Sequence, residues 1–257
     1  MTLLNLQGVT VRFGGLTAIN ELSFTVSKGT VHGLIGPNGA GKSTVFNCLS
    51  RFYQPTAGSI IFDDRDLLAL KTHEVIGAGV ARTFQNVELF KGMTVLDNVL
   101  TGQHTAFSHS FVSDMFGVKS SRSEEAMKRQ TALETLSFLG ITDTAHSYVG
   151  SLPYGKQKMV EFARALASNP KLLLLDEPAA GLNPQETYHL GELIVELKNK
   201  LGLSLLLVEH DMSLVMRISD TITVMEFGRK IAEGLPETIR NNPDVIKAYL
   251  GEGEEIA

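Results

Sequence analysis

The sequence predicts an α/β fold with a mostly parallel core sheet, and three observations carry that prediction. Val31–Ile35, Lys171–Leu175 and Ser204–Val208 are short, nearly unbroken apolar runs, as expected of strands buried on both faces of a parallel sheet. Each leads through glycine or acidic residues into a helix-like segment, the alternation that α/β proteins show. Residues Gly36 to Thr44 read Gly-Pro-Asn-Gly-Ala-Gly-Lys-Ser-Thr. They fit the phosphate-loop pattern G-x-x-x-x-G-K-[ST], and the strand before and helix after supply the context it requires. Chance produces the pattern in roughly one chain in a hundred of this size.

The 257 residues suit one large α/β domain, or a core with a smaller subdomain. The formal net charge of −5 argues against a nucleic-acid-binding surface. The single cysteine, Cys48, excludes an intrachain disulfide and is expected to be a small core residue. The N-terminus is too short and polar for a signal peptide. No apolar stretch approaches the ~20 residues of a membrane helix. A soluble, cytoplasmic protein is expected, with any membrane role left to partners.

Leu4–Phe13 and Glu21–Val26 alternate in polarity and read as antiparallel strands. Phe13, just upstream of the phosphate loop, is either a core residue or an aromatic that stacks on a nucleotide base, which is worth about 1–3 kcal/mol. Ser43–Phe52 reads as the helix after the loop, and Ser59–Phe62 as a strand. Residues 72–79 form a short helix broken by Gly77 and Gly79. Val80–Gln85 is a strand with a polar end. Thr94 caps a helix to about Gly102, with Asp97 at its third position.

Residues 103–122 change character. Phe107, Phe111 and Met115 recur every four residues, with Phe116 beside them. A packing stripe is the preferred reading, with a partner-facing or membrane-skimming hairpin as the alternative. His104 and His109 have no acidic neighbour, so no metal is assigned there. Ser123 then caps a long amphipathic helix to Leu139. Tyr148–Lys158 is read as irregular and Gln157–Ser168 as helical. Asn183-Pro184 starts a helix that stops at Gly202. Asp211 caps a short helix to Ile218. Thr221–Glu226 and Lys230–Glu233 pair around Phe227-Gly228-Arg229, and two short helices fill Pro236–Leu250.

Polar groups stand at the carboxyl ends of predicted strands: the phosphate loop, Gln85, Asp176-Glu177 and His210. Ligands bind along that edge of an open α/β sheet. The loop Gly36, Pro37, Asn38, Gly39, Ala40, Gly41, Lys42, Ser43, Thr44 would present backbone N–H groups and a helix N-terminus to phosphates. Lys42 would neutralise the β- and γ-phosphates, and Ser43 and Asp176 would hold Mg²⁺. Glu177 would orient or deprotonate the attacking water. Gln85 would bond that water or the metal, and His210 the departing γ-phosphate.

This set and its order resemble the ATP-binding cassette (ABC) ATPases: Walker A at 36–43, the Q-loop at Gln85, a signature near 151–156, Walker B at 172–177 and the H-loop at His210. Phe13 matches that family's adenine-stacking aromatic. The resemblance covers the whole chain. It implies a P-loop ABC ATPase fold with an antiparallel β subdomain and an α-helical subdomain. The implied division is a nucleotide-binding core with β subdomain at 1–85 and 166–235, a helical, signature-bearing subdomain at 86–165, and C-terminal helices at 236–257. ATP and Mg²⁺ are the implied cofactors, with catalytic roles for Lys42, Gln85, Glu177 and His210 and metal contacts from Ser43, Gln85 and Asp176. Tyr154, Gly155 and Lys156 would face the nucleotide of a partner cassette.

Val-Ala-Arg-Thr-Phe-Gln-Asn-Val (80–87), Met-Thr-Val-Leu-Asp-Asn-Val (93–99), Leu-Pro-Tyr-Gly-Lys-Gln (152–157), Asp-Glu-Pro-Ala-Ala-Gly-Leu-Asn-Pro (176–184) and Asn-Asn-Pro-Asp-Val-Ile-Lys-Ala-Tyr-Leu-Gly (241–251) resemble ATP-binding subunits of bacterial high-affinity branched-chain amino-acid importers. Related subunits serve urea and short-chain amide importers, and a weakly catalytic nucleotide-sensing cassette is a further alternative. The resemblance implies two transmembrane permease subunits, a periplasmic or lipid-anchored binding protein, and a place on the cytoplasmic face of the inner membrane. Two departures stand out. The usual signature Leu-Ser-Gly-Gly-Gln is replaced by Leu152-Pro153-Tyr154-Gly155-Lys156, and Asn183 stands where Asp is usual. Pro153 offers neither hydroxyl nor N–H, so a heterodimer with a second cassette of ordinary signature is expected. Lys156 would restore part of the missing positive potential.

Overall fold

The computed structural model describes residues 1–103 and 119–250. The chain forms two compact units, residues 1–75 with 172–257, and residues 76–171. The segment with Phe107, Phe111, Met115 and Phe116, and with His104 and His109, lies outside the described residues.

The first unit contains two sheets. Strands β1 (Thr2–Phe13), β2 (Leu16–Ser27), β4 (Ala57–Phe62) and β5 (Arg65–Asp66) make an antiparallel sheet in the order β2-β1-β4-β5. The alternation in β2 buries Leu22, Phe24 and Val26 and exposes the residues between them. Strand β2 starts five residues earlier than the sequence suggested, because Gly14-Gly15 turns the chain straight back and pairs Phe13 with Leu16.

The second sheet sets β10 (Arg229–Gly234), β9 (Thr221–Glu226), β3 (Val31–Ile35), β8 (Ser204–Val208) and β7 (Leu172–Asp176) side by side in that order. Strands β9, β3, β8 and β7 run parallel, and β10 returns antiparallel to β9. Every residue of β3, β7 and β8 is buried, which explains their unbroken apolar character.

Helix α1 spans Lys42–Leu49, shorter than the expected 43–52. Arg51 takes a positive φ of 60°, which an α-helix cannot continue through. Short helix α2 covers Val75–Ala78, across the boundary between the two units.

The second unit holds β6 (Val80–Thr83), α3 (Val95–Gly102), α4 (Lys119–Phe138) and α5 (Tyr154–Leu166). Thr94 caps α3, its hydroxyl oxygen accepting from the Asp97 N–H at 3.1 Å. Helices α3 and α5 approach closely at Gly102, where an added Cβ would lie 2.0 Å from the Arg164 carbonyl oxygen. Two expectations fail here. Helix α4 already includes Lys119, so Ser123 lies inside it rather than capping it; nothing in Lys119-Ser-Ser-Arg breaks a helix. Helix α5 begins at Tyr154, not Gln157. The apolar stripe Val160, Phe162, Ala163 is buried, and that packing holds a first turn that Gly155 alone would disfavour.

Back in the first unit, α6 (Pro184–Leu201) follows β7, α7 (Met212–Ile218) follows β8, and α8 (Pro236–Arg240) and α9 (Pro243–Leu250) close the chain. Asn183 and Glu186 form a capping box on α6, and Gly202 ends it in the left-handed conformation. Asp211 caps α7.

Candidate nucleotide site

The loop after β3 owes its shape to backbone contacts. Gly36, Gly39 and Gly41 have φ of 148°, 75° and 102°. A Cβ on Gly36 would sit 2.0 Å from the Met225 carbonyl oxygen, and one on Gly41 2.6 Å from that of Ala18. The two glycines therefore let the loop press against β9 and β2. Helix α1 starts with no side-chain cap and no acidic residue in its first turn, so its N–H groups and positive dipole end face an incoming anion. Lys42 is buried, and its ammonium donates to the carbonyl oxygens of Gly36 and, at 2.8 Å, of Pro37.

A cleft of about 570 Å³ opens over this loop. Asn38 to Thr44, Glu177 and His210 line it, and the exposed side chains of Phe13, Leu16 and Phe227 give it an apolar rim. Phe13 is 45% exposed and braced edge-on by Tyr53, with ring centroids 5.1 Å apart. The ring is therefore half-exposed at the cleft rather than packed as an ordinary core residue.

Asp176 ends β7 and is buried, 8% exposed. Glu177 follows at φ 47°. Such backbone strain in a non-glycine residue persists only where its surroundings enforce it, and here the Glu177 N–H donates to the Val208 carbonyl at 2.8 Å. Its Oε1 lies 2.9 Å from Nε2 of His210. With the proton on Nε2, the imidazole donates to the carboxylate, so the acid and the histidine face each other inside the cleft.

Glu209 holds this arrangement through its hydrogen bonds, a role sequence reasoning missed. It is 4% exposed. One carboxylate oxygen accepts from the Ala179 N–H at 2.6 Å, and the other from those of His210 at 2.8 Å and Asp211 at 3.3 Å. The turn after Glu177 and the turn carrying His210 are thereby tied to one buried carboxylate. An acid directly after a buried strand was the available signal. Phe227 was also passed over, as one residue of a hairpin turn.

Gln85 and the signature residues belong to the second unit. Gln85 lies two residues beyond β6 rather than in it. Just before it, the Phe84 N–H donates to Oε1 of Glu161 at 3.0 Å. Burial pushes the Glu161 carboxyl above its ordinary pKa. Tyr154, Gly155 and Lys156 form the first turn of α5 behind Pro153, which supplies no side-chain cap. The turn has no acidic residue, so it too presents N–H groups to an anion. Lys156 pairs with Asp143 at 3.1 Å; both side chains are exposed, so little holds the pair together. Asn183 has a local explanation. Its Oδ1 accepts from the N–H groups of Gln185 and Glu186, each at 3.0 Å, and Asn caps a helix about as well as Asp.

A phosphate loop between a parallel strand and a helix, facing a Glu–His pair across one cleft, defines a nucleoside-triphosphate-binding cassette. Residues 19–180 match the ABC transporter family model, and the chain belongs to that family. Residues 229–255 match the model described as branched-chain amino acid ATP-binding cassette transporter. The chain is 48% identical over 250 residues to the high-affinity branched-chain amino acid transport ATP-binding protein BraF of Pseudomonas aeruginosa. It is 47% identical over 250 residues to the corresponding protein LivG of Escherichia coli K12. Each alignment covers 97% of this chain and 98% of the relative. Among solved structures, the ADP conformation of an ATP-binding cassette of an ABC transporter is similar, with a TM-score of 0.84 and 32% identity over 98% of this chain and 99% of that one. A nucleotide-free ATP-binding cassette from an ABC transporter also gives 0.84, at 33% identity over 97% and 99%.

Proposed function

We propose that this chain is the ATP-hydrolysing subunit of an importer for branched-chain amino acids, working beside a second, different cassette. The observation that carries the catalytic part is the cleft itself. One compact unit brings an uncapped helix N-terminus and Lys42 together with Glu177 bonded to His210. The loop N–H groups and Lys42 bind the phosphates, and the ammonium exchanges the loop carbonyls for phosphate oxygens. Glu177 orients the attacking water and takes its proton. His210 donates from Nε2 to the γ-phosphate as charge grows there. Phe13 stacks on the base.

The oxygen donors of the first unit suit Mg²⁺, a hard cation: the Ser43 hydroxyl in the cleft and the Asp176 carboxylate at the end of β7. Bound there, Mg²⁺ would neutralise charge developing on the phosphates. Glu177→Gln tests the catalytic assignment. It should bind ATP as wild type does and hydrolyse it at least about a hundredfold more slowly; near-wild-type turnover would remove Glu177 from this role.

The transported substrate rests on the names of the relatives and on the match at residues 229–255. No described helix is long and apolar enough to cross a membrane. In this reading, which the relatives' names as transport ATP-binding proteins support, the chain acts on the membrane through two permease subunits, at the cytoplasmic face, and a periplasmic or lipid-anchored binding protein delivers the substrate. The heterodimer reading rests on Pro153, which removes a hydroxyl and an N–H from the signature. The N–H groups of the first turn of α5 remain for the partner's γ-phosphate, and Lys156 can leave its exposed pair with Asp143. ATPase activity of this chain alone and mixed with its sister cassette tests it. Substrate-coupled turnover without the sister would exclude the heterodimer.

A further inference from the structure

The two-residue turn joining β9 to β10 consists of Phe227 and Gly228. Both have positive φ, 44° and 77°, which is the type I′ hairpin geometry. Asn, Asp or Gly normally occupies the first position, because a bulky L residue is strained there. Here it is phenylalanine, and the side chain gains no burial in return, since it is 83% exposed. Core packing therefore does not explain it.

The turn is fixed against the phosphate loop. The Gly228 N–H donates to the Ala40 carbonyl at 3.0 Å, and the Gly228 carbonyl accepts from the Asn20 N–H at 2.8 Å. A Cβ on Gly228 would meet the Ala18 oxygen at 2.7 Å. One residue earlier in the chain, Phe227 is thus held on the rim of the cleft that also carries Phe13. Backbone strain kept at a ligand-lining position, with an exposed aromatic ring as its product, is the pattern of a functional contact.

We infer that Phe227 is a second nucleotide-contacting aromatic: it and Phe13 grip the base from two sides of the cleft. This rests on the nucleotide reading of that cleft and adds to it a specificity device. Aromatic faces read ring area rather than hydrogen-bonding edges. The grip therefore favours purine triphosphates over pyrimidine ones and distinguishes adenine from guanine weakly.

The chain contains no tryptophan, so Phe227→Trp installs a single local reporter. Its fluorescence should change on adding ATP and stay unchanged on adding inorganic tripolyphosphate. Phe227→Asn keeps a residue suited to the turn, so the fold should hold. Titrated into the full chain, ATP should bind Phe227→Asn roughly tenfold more weakly than wild type, while tripolyphosphate binds both equally. Phe227→Tyr should bind like wild type. Unchanged ATP affinity in Phe227→Asn would overturn the inference and leave the ring as a surface for a protein partner. Equal weakening of ATP and tripolyphosphate would also overturn it, showing that the turn acts through the loop alone. Failure of the wild-type chain to bind ATP at all would instead remove the nucleotide reading, and the inference with it.

Discussion

Replacing Glu209 with glutamine removes one charge and almost no volume, yet it should be among the more damaging changes in the first unit. The carboxylate is 4% exposed and accepts three backbone N–H groups, from Ala179, His210 and Asp211. An amide offers one oxygen. If that oxygen keeps Ala179, its NH₂ group faces the N–H groups of His210 and Asp211, donor against donor. Each buried donor left unsatisfied costs about 1–3 kcal/mol. The Asp211 bond is long at 3.3 Å and counts for less. The total is about 3 kcal/mol, which lowers the melting temperature by roughly 6–12 °C at about 2–4 °C per kcal/mol. The catalytic consequence is separate. His210 and the turn after Glu177 lose their shared anchor, so kcat should fall while ATP affinity, which the proposed function assigns to other residues, changes little. Scanning fluorimetry measures the first effect, and steady-state ATPase assays with nucleotide titration the second. A Glu209→Gln protein melting within 2 °C of wild type would refute the claim that this carboxylate supports those N–H groups.

Asn183→Ala should cost about 1 kcal/mol and lower the melting temperature by roughly 2–4 °C. It removes a cap that accepts two N–H groups at the start of α6. Acid should destabilise the protein through His32, which is buried in β3, stacked on Phe24 and bonded to Thr223 at 2.9 Å. Burial lowers its pKa to about 4 from the model-compound value of 6.5. Between those values the unfolded chain binds the proton and the folded one does not. Stability is therefore complete above pH 6.5 and falls as pH drops toward 4, by about 3 kcal/mol in all. Chemical denaturation across that window measures the loss, and His32→Phe, which keeps the ring stack, should flatten its pH slope.

Local signals were legible in the sequence where a feature is made by residues close along the chain. The glycine pattern of the phosphate loop, the Asn183-Pro184 start, the Gly202 stop and the Asp211 cap all act within one turn of backbone, and the structure has each in place. Errors arose where packing overrode local preference. Helix α5 starts at Tyr154 because its apolar stripe is buried, whereas Pro153, Tyr154 and Gly155 by themselves suggested an irregular segment. For helix α4 the reason is local: the helix already includes Lys119, and nothing in the residues just before Ser123 breaks it.

By itself, the sequence determined that a glycine loop and a lysine stand at a helix N-terminus after a buried strand, and that Asp176, Glu177 and His210 stand at strand ends. Only the tertiary structure decided which of these groups meet. Glu177 and His210 are 33 residues apart in sequence and 2.9 Å apart in space, because β7 and β8 pair in register with Asp176 beside Val208. Glu209 became a shared anchor for two turns, and Phe227 came to the rim of the cleft, for the same reason. Strand order in a sheet is a product of long-range burial and pairing, and no short window of residues encodes it.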